Sequence, residues 1–166
     1  MAITVMAVTR VIGLGLGVGL AVASCAAVRA QDIASGMADA GVVKERKVLM
    51  SEMAASMKRI LFSLASAAPG DGGIAADART LVLHAGEIGR LFPDGSLGGS
   101  TEASPEIRRR RDEFRELAEE TAGLADALLR AVEFGERDTA LRRFPALGRS
   151  CSDCHARFRI PDEAEE

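Results

Sequence analysis

Downstream of residue 30, apolar residues recur at alternating steps of three and four in four separate stretches. No other feature constrains the fold as strongly. Such steps bring side chains onto one face of an α-helix, whereas a half-buried strand needs strict alternation. The first seam is Val43, Arg46, Met50, Met53, Met57, Ile60 and Leu64, and the second is Ile74, Ala78, Leu81, Ala85, Ile88 and Phe92. Ile107, Arg110, Phe114, Leu117, Thr121, Leu124 and Leu128 form the third, and Leu141, Phe144, Gly148, Cys151, His155 and Phe158 the fourth. Turn chemistry separates them: Ala68-Pro69-Gly70-Asp71-Gly72-Gly73, Pro93-Asp94-Gly95-Ser96-Leu97-Gly98-Gly99-Ser100, and the shorter Phe134-Gly135-Glu136. Ser104-Pro105-Glu106 opens the third helix with a capping hydroxyl, a proline where no donor is lost and an acid at the positive helix end. Four amphipathic helices on short connections pack as an antiparallel up-down-up-down four-helix bundle, so the fold class is all-α. The absence of Trp and Tyr agrees, because a sheet draws on aromatic and β-branched residues.

The first thirty residues follow another rule. They contain no acid, carry Arg10 near the front, and run through residues 11–22 with only Val, Ile, Gly, Leu and Ala. This is the pattern of a secretory signal, too short and Gly-rich for a membrane span of about 20 residues. Val28-Arg29-Ala30 sets the expected mature start at Gln31, with cleavage after Ala27 as the neighbouring alternative. The boundaries are therefore 1–30 for a removed signal peptide and 31–166 for the bundle domain. Val22-Ala23-Ser24-Cys25 also reads as a lipoprotein signal, which would place a lipid anchor on Cys25. Both readings send the chain to the bacterial periplasm. Losing Arg10 and Arg29 with the leader makes the mature chain more acidic than its overall net charge of −3, which argues against nucleic-acid binding.

The chemistry lies near the other end, in Cys151-Ser152-Asp153-Cys154-His155, the C-x-x-C-H pattern of covalent haem attachment. On a helix the two thiols stand at i and i+3 and the imidazole at i+4, so all three project from one side. Two thioethers can then form while the imidazole reaches the iron. Three other readings compete. A thioredoxin-like pair needs a βαβ setting that the periodicities do not supply. A zinc site would have to combine Cys151, Cys154, His155 and His84, and neighbouring Cys154 and His155 are awkward partners in one tetrahedron. A disulfide across so small a loop gains little.

The stretches Leu91-Phe92-Pro93-Asp94-Gly95-Ser96, Ser104-Pro105-Glu106-Ile107 and Gly148-Arg149-Ser150-Cys151-Ser152-Asp153-Cys154-His155-Ala156-Arg157-Phe158-Arg159, with Lys44-Glu45-Arg46 and Met50 four residues on, closely resemble the class II cytochromes c. These are cytochrome c′ and its low-spin relatives, and the likeness spans 36–160. It implies one haem c held by Cys151 and Cys154, with His155 as proximal iron ligand. It further implies Arg46 beside a haem propionate, Arg159 beside the proximal imidazole, and Met50 on the distal side. Arg46 occupies a seam position, where a buried charge wants a partner. Met50 either ligates the iron or only blocks the site; Met53 and Met57 are expected in the core. With His and Met on the iron the protein is an electron carrier for redox partner proteins and not an enzyme. With an open sixth position it binds a diatomic gas such as nitric oxide or carbon monoxide. The resemblance also raises a homodimer through the first helices.

Two features receive ordinary readings. His84 is expected at the surface or boundary of the second helix. The run Arg108, Arg109, Arg110, Arg111 and then Arg115 is expected as a solvated face stitched by i, i+4 pairs of Arg108 with Asp112, Arg109 with Glu113 and Arg115 with Glu119, a docking patch for an acidic redox partner being the alternative. The family commonly has an aromatic where Arg108 follows Pro-Glu-Ile, so packing at the start of the third helix is the point of departure.

Overall fold

A computed structural model describes residues 19–66, 72–98 and 101–161. Arg10 and the front of the apolar run, residues 68–71 of the first break, and Gly99 and Ser100 of the second lie outside the described residues. Four long helices, α1 (Gly19–Ala65), α2 (Gly72–Glu87), α4 (Arg111–Glu133) and α5 (Arg137–Phe158), carry the architecture, and α3 (Glu106–Arg109) is a single turn ahead of α4. The expected all-α four-helix architecture is the one observed. The chain divides into compact units at Met37/Ala38; the second holds α1 from Ala38 onward and every later helix. The expected boundary after residue 30 falls within α1. Among the described residues no helix is long and apolar enough to cross a membrane.

Several helix ends have a cause in the sequence. Gly135, with φ +68°, closes α4: its N–H donates to the Val132 carbonyl at 3.1 Å, and the Glu136 N–H reaches the Ala131 carbonyl at 2.8 Å. This pair of bonds needs the left-handed residue that glycine supplies without penalty. Ser104 Oγ accepts from the Glu106 N–H at 3.2 Å, as expected of the cap. The helix begun there breaks at Arg110 (φ −120°, ψ 44°) and restarts as α4. At α2 the helix begins at Gly72, two residues inside the expected turn. Arg137 at the start of α5 donates to the Leu64 and Ser66 carbonyls at 2.7 and 2.9 Å, covering free acceptors at the end of α1.

The second seam is buried throughout, whereas the other three are rotated: in the third, Ala118 and Ala125 are buried, Leu117 and Leu124 are half-buried and Arg110 is exposed. On α1 the interior takes Leu49 and Ser56, and Met50 and Met57 are only half-buried. On α5 Ala140, Leu147 and Ser150 are buried and Leu141 is 43% exposed, contrary to the expected stripe. The reason is the 3.6-residue period: a seam traced by threes and fours can be drawn through either of two adjacent rows, and packing selects the row. Ile60, Leu81, Leu91, Ile107, Phe114, Leu128 and Leu147 are among the most deeply buried side chains.

The arginine run is exposed except for half-buried Arg111, and its pairings differ from those expected. Arg109 pairs with Glu106, Arg110 with Glu113 at 2.6 Å, and Arg115 with Asp112 at 3.6 Å, all at i, i+3. Arg108 instead donates to the Asp94 carbonyl at 2.6 Å, and Arg111 pairs with the Asp94 carboxylate and donates to the Phe92 carbonyl at 2.7 Å. The break at Arg110 explains the change for Arg108 and Arg109, whose expected partners lie on the far side of it. At the point of departure from the family, Arg108 thus ties the third-helix start to the 92–96 loop.

Candidate cofactor site

One end of the bundle encloses a cavity of about 530 Å³ with a predominantly apolar wall. From α1 come Arg46, Met50 and Met53; from α5 come Cys151, Cys154, His155, Phe158 and Arg159. Phe92, Phe114 and Phe158 make an aromatic file along it, with centroids 4.8 Å apart for the first pair and 5.4 Å for the second, the latter edge-to-face. Every residue picked from the sequence for cofactor chemistry therefore lines this one space, while His84 bonds Glu52 Oε2 at 2.7 Å away from the cavity wall.

Cys151 and Cys154, one turn apart on α5, are half-buried free thiols. Burial pushes the Cys151 thiol up. It pushes Cys154 up to about 11, helped by the neighbouring Cys151 and opposed by Arg157. Both therefore stay protonated at neutral pH. His155 lines the cavity yet remains open to solvent. Burial of part of its ring lowers its pKa, the Arg159 charge lowers it further, and Glu102 acts in opposition. A neutral imidazole with a free lone pair is what an iron centre requires of a ligand.

Arg46 is 4% exposed. Nη1 donates to the Leu91 carbonyl at 2.9 Å and to Ser96 Oγ at 3.1 Å; Nη2 donates to the Ser96 carbonyl at 3.1 Å and to Thr101 Oγ1 at 2.6 Å. The guanidinium also lies 4.4 Å over the Phe92 ring. Burial pulls its pKa down. Sequence reasoning expects an anionic partner here; the chain supplies four neutral acceptors and a ring face instead, and the Nε–H is the donor these bonds leave over.

Around the mouth, Arg159 Nε donates to Glu102 Oε2 at 2.7 Å, and the Arg159 N–H caps α5 on the His155 carbonyl at 3.0 Å. Sequence reasoning missed Thr101 and Glu102, both in the wall, because they sit in a connection with no periodicity to mark them; Thr121, a seam position on α4, also borders the cavity. It also placed Met53 in the core alone, whereas Met53 is buried and borders the cavity as well.

The donor set fits a haem: two thiols and an imidazole from one helix face an apolar space of cofactor size. Across residues 41–159 the chain matches the family model described as Cytochrome C', and it belongs to that family. It is 28% identical over 118 residues to the cytochrome c′ of Pararhodospirillum photometricum, covering 70% of this chain and 94% of that protein. The cytochrome c′ of Rhodospirillum rubrum is 27% identical over 139 residues, covering 83% and 95% respectively. The crystal structure of cytochrome c′ from Thermochromatium tepidum shares the fold with a TM-score of 0.70 at 23% identity, over 74% of this chain and 97% of that one. A nitric oxide complex of a cytochrome c′ variant from Alcaligenes xylosoxidans has a TM-score of 0.69 at 25% identity, over 75% and 97%. Family members carry covalently attached haem c and are haem proteins of the electron-carrier type, located in the periplasm.

Proposed function

We propose that this chain is an exported cytochrome that transfers single electrons between redox partner proteins and catalyses no reaction on an organic substrate. Its leader is removed at Gln31; lipid attachment at Cys25 is the alternative maturation. Cys151 and Cys154 hold the haem through thioethers, His155 binds the iron proximally, and Met50 supplies the sixth ligand. Bound haem c supplies a one-electron iron couple; the polypeptide supplies the surroundings. Arg46 offers its remaining Nε–H to a propionate. Partial burial, and then the Arg159 charge, favour the neutral form of the His155 imidazole. Phe92, Phe114 and Phe158 would exclude water from the bound group, and the Met50 thioether and the His155 imidazole would hold its iron.

The observation that carries this reading is the single cavity lined by Met50 from α1 and by Cys154 and His155 from α5. A second reading, an open distal site that admits a small neutral gas, is favoured by the likeness to a protein solved with nitric oxide. Carbon monoxide added to the reduced protein separates them. The carrier reading gives a low-spin starting spectrum and sluggish change, accelerated by Met50→Ala. A high-spin start with rapid, complete change in the unaltered protein contradicts Met50 ligation and leaves the gas-binding reading.

A further inference from the structure

We infer that Thr101 and Glu102 form a tie between Arg46 and Arg159, two cationic side chains of the cavity wall, and that Glu102 is a positioning residue for Arg159. The inference rests on the haem reading above. Arg46 belongs to α1, the side that carries Met50, and Arg159 follows α5, the side that carries His155. The two are held by consecutive residues of the connection between α2 and α3. Thr101 Oγ1 accepts from Arg46 at 2.6 Å, and Glu102 Oε2 accepts from Arg159 Nε at 2.7 Å.

The short link between them is stiffened on both sides. The Ala103 N–H donates to Thr101 Oγ1 at 3.1 Å, the Ile160 N–H to the Glu102 carbonyl at 2.7 Å, and the Ser104 N–H to the Phe158 carbonyl at 2.9 Å. Residues 102–104 are thereby laid along 158–160, with Ala103 and Arg159 as a β-bridge. A segment fixed at this many points transmits displacement instead of absorbing it. A change in how Glu102 holds Arg159 is therefore felt at Arg46, on α1. Glu102 also places a negative charge at the cavity wall, close to the imidazole-bearing end of α5. Removing that charge favours the more electron-rich state of the iron.

The test uses the matured holoprotein. Glu102 has a side chain 48% exposed, so Glu102→Gln leaves the bundle folded. The expected result is an upward shift in midpoint potential together with a changed rate of carbon monoxide uptake by the reduced protein. Glu102→Asp restores both toward the unaltered values, and Glu133→Gln, which removes the acid paired with Arg79 at the far end of the bundle, moves neither. Potential and uptake both unchanged in Glu102→Gln overturn the proposal, as does a shift in potential with the distal uptake rate unmoved, which would reduce Glu102 to a local charge. Absence of covalent haem from the unaltered chain would be evident in its mass before any variant is compared, and would count against the haem reading instead.

Discussion

Thr121 on α4 and Ser150 on α5 share a hydrogen bond of 2.7 Å between two buried hydroxyls, one residue before the first cysteine of the attachment motif. Thr121 Oγ1 also bonds the Leu117 carbonyl at 2.8 Å, which leaves Ser150 as donor to Thr121. The pair pins the helix that carries both thiols to the neighbour that forms the cavity wall. Thr121→Val strands the Ser150 hydroxyl and is expected to cost about 1–2 kcal/mol in chemical denaturation. The double variant with Ser150→Ala should cost less than the two single changes added, because no buried hydroxyl is then left without a partner. A single-variant cost near zero contradicts the assignment.

Arg46 is expected to behave as a structural clamp in addition to any cofactor role. Arg46→Met removes the donors that serve Leu91, Ser96 and Thr101, and a loss of about 2 kcal/mol or more follows. Arg46→Lys recovers only part of it, since a single ammonium cannot reproduce the planar fork. Unfolding midpoints of the three proteins check this; equal stability for Lys and Arg would refute the clamp.

Much of this was legible in the chain, and the failures are instructive. The break at Gly135 and the cap at Ser104 are local chemistry, set by residues a few positions apart, and both stand where the sequence puts them. The attachment motif is equally local. Arg46 was visible as an anomaly, a charge on an apolar seam, but its partners lie 45 to 55 positions downstream in a connection without repeat. Thr101 and Glu102 went unnoticed for the same reason, since only the tertiary path of that connection brings them to the wall. The choice of Leu49 over Met50, and of Leu147 and Ser150 beside Cys151, for the most buried rows depends on how far each helix rotates against its neighbours, and periodicity alone does not specify rotation.

Glu113 gives the pH dependence. Arg110, and then Arg157, hold its carboxyl below the usual carboxylate range. A depressed folded-state pKa means that the contribution is present above the unfolded value and is lost as pH falls through the folded one. The difference in thermal midpoint between the native chain and Glu113→Gln should therefore be greatest near neutrality and close as pH drops below about 4. A difference that stays constant down to strongly acid pH would argue against the pairing.

The central claim is covalent haem on α5, and peptide mass mapping of the protein after expression in a host that exports and matures such cytochromes tests it most directly. The account predicts that the peptide containing Cys151 and Cys154 carries the mass of one haem, and that Cys151→Ala and Cys154→Ala together abolish it. Recovery of that peptide from the native protein at the mass of its amino acids alone, with both thiols open to alkylation, would contradict it.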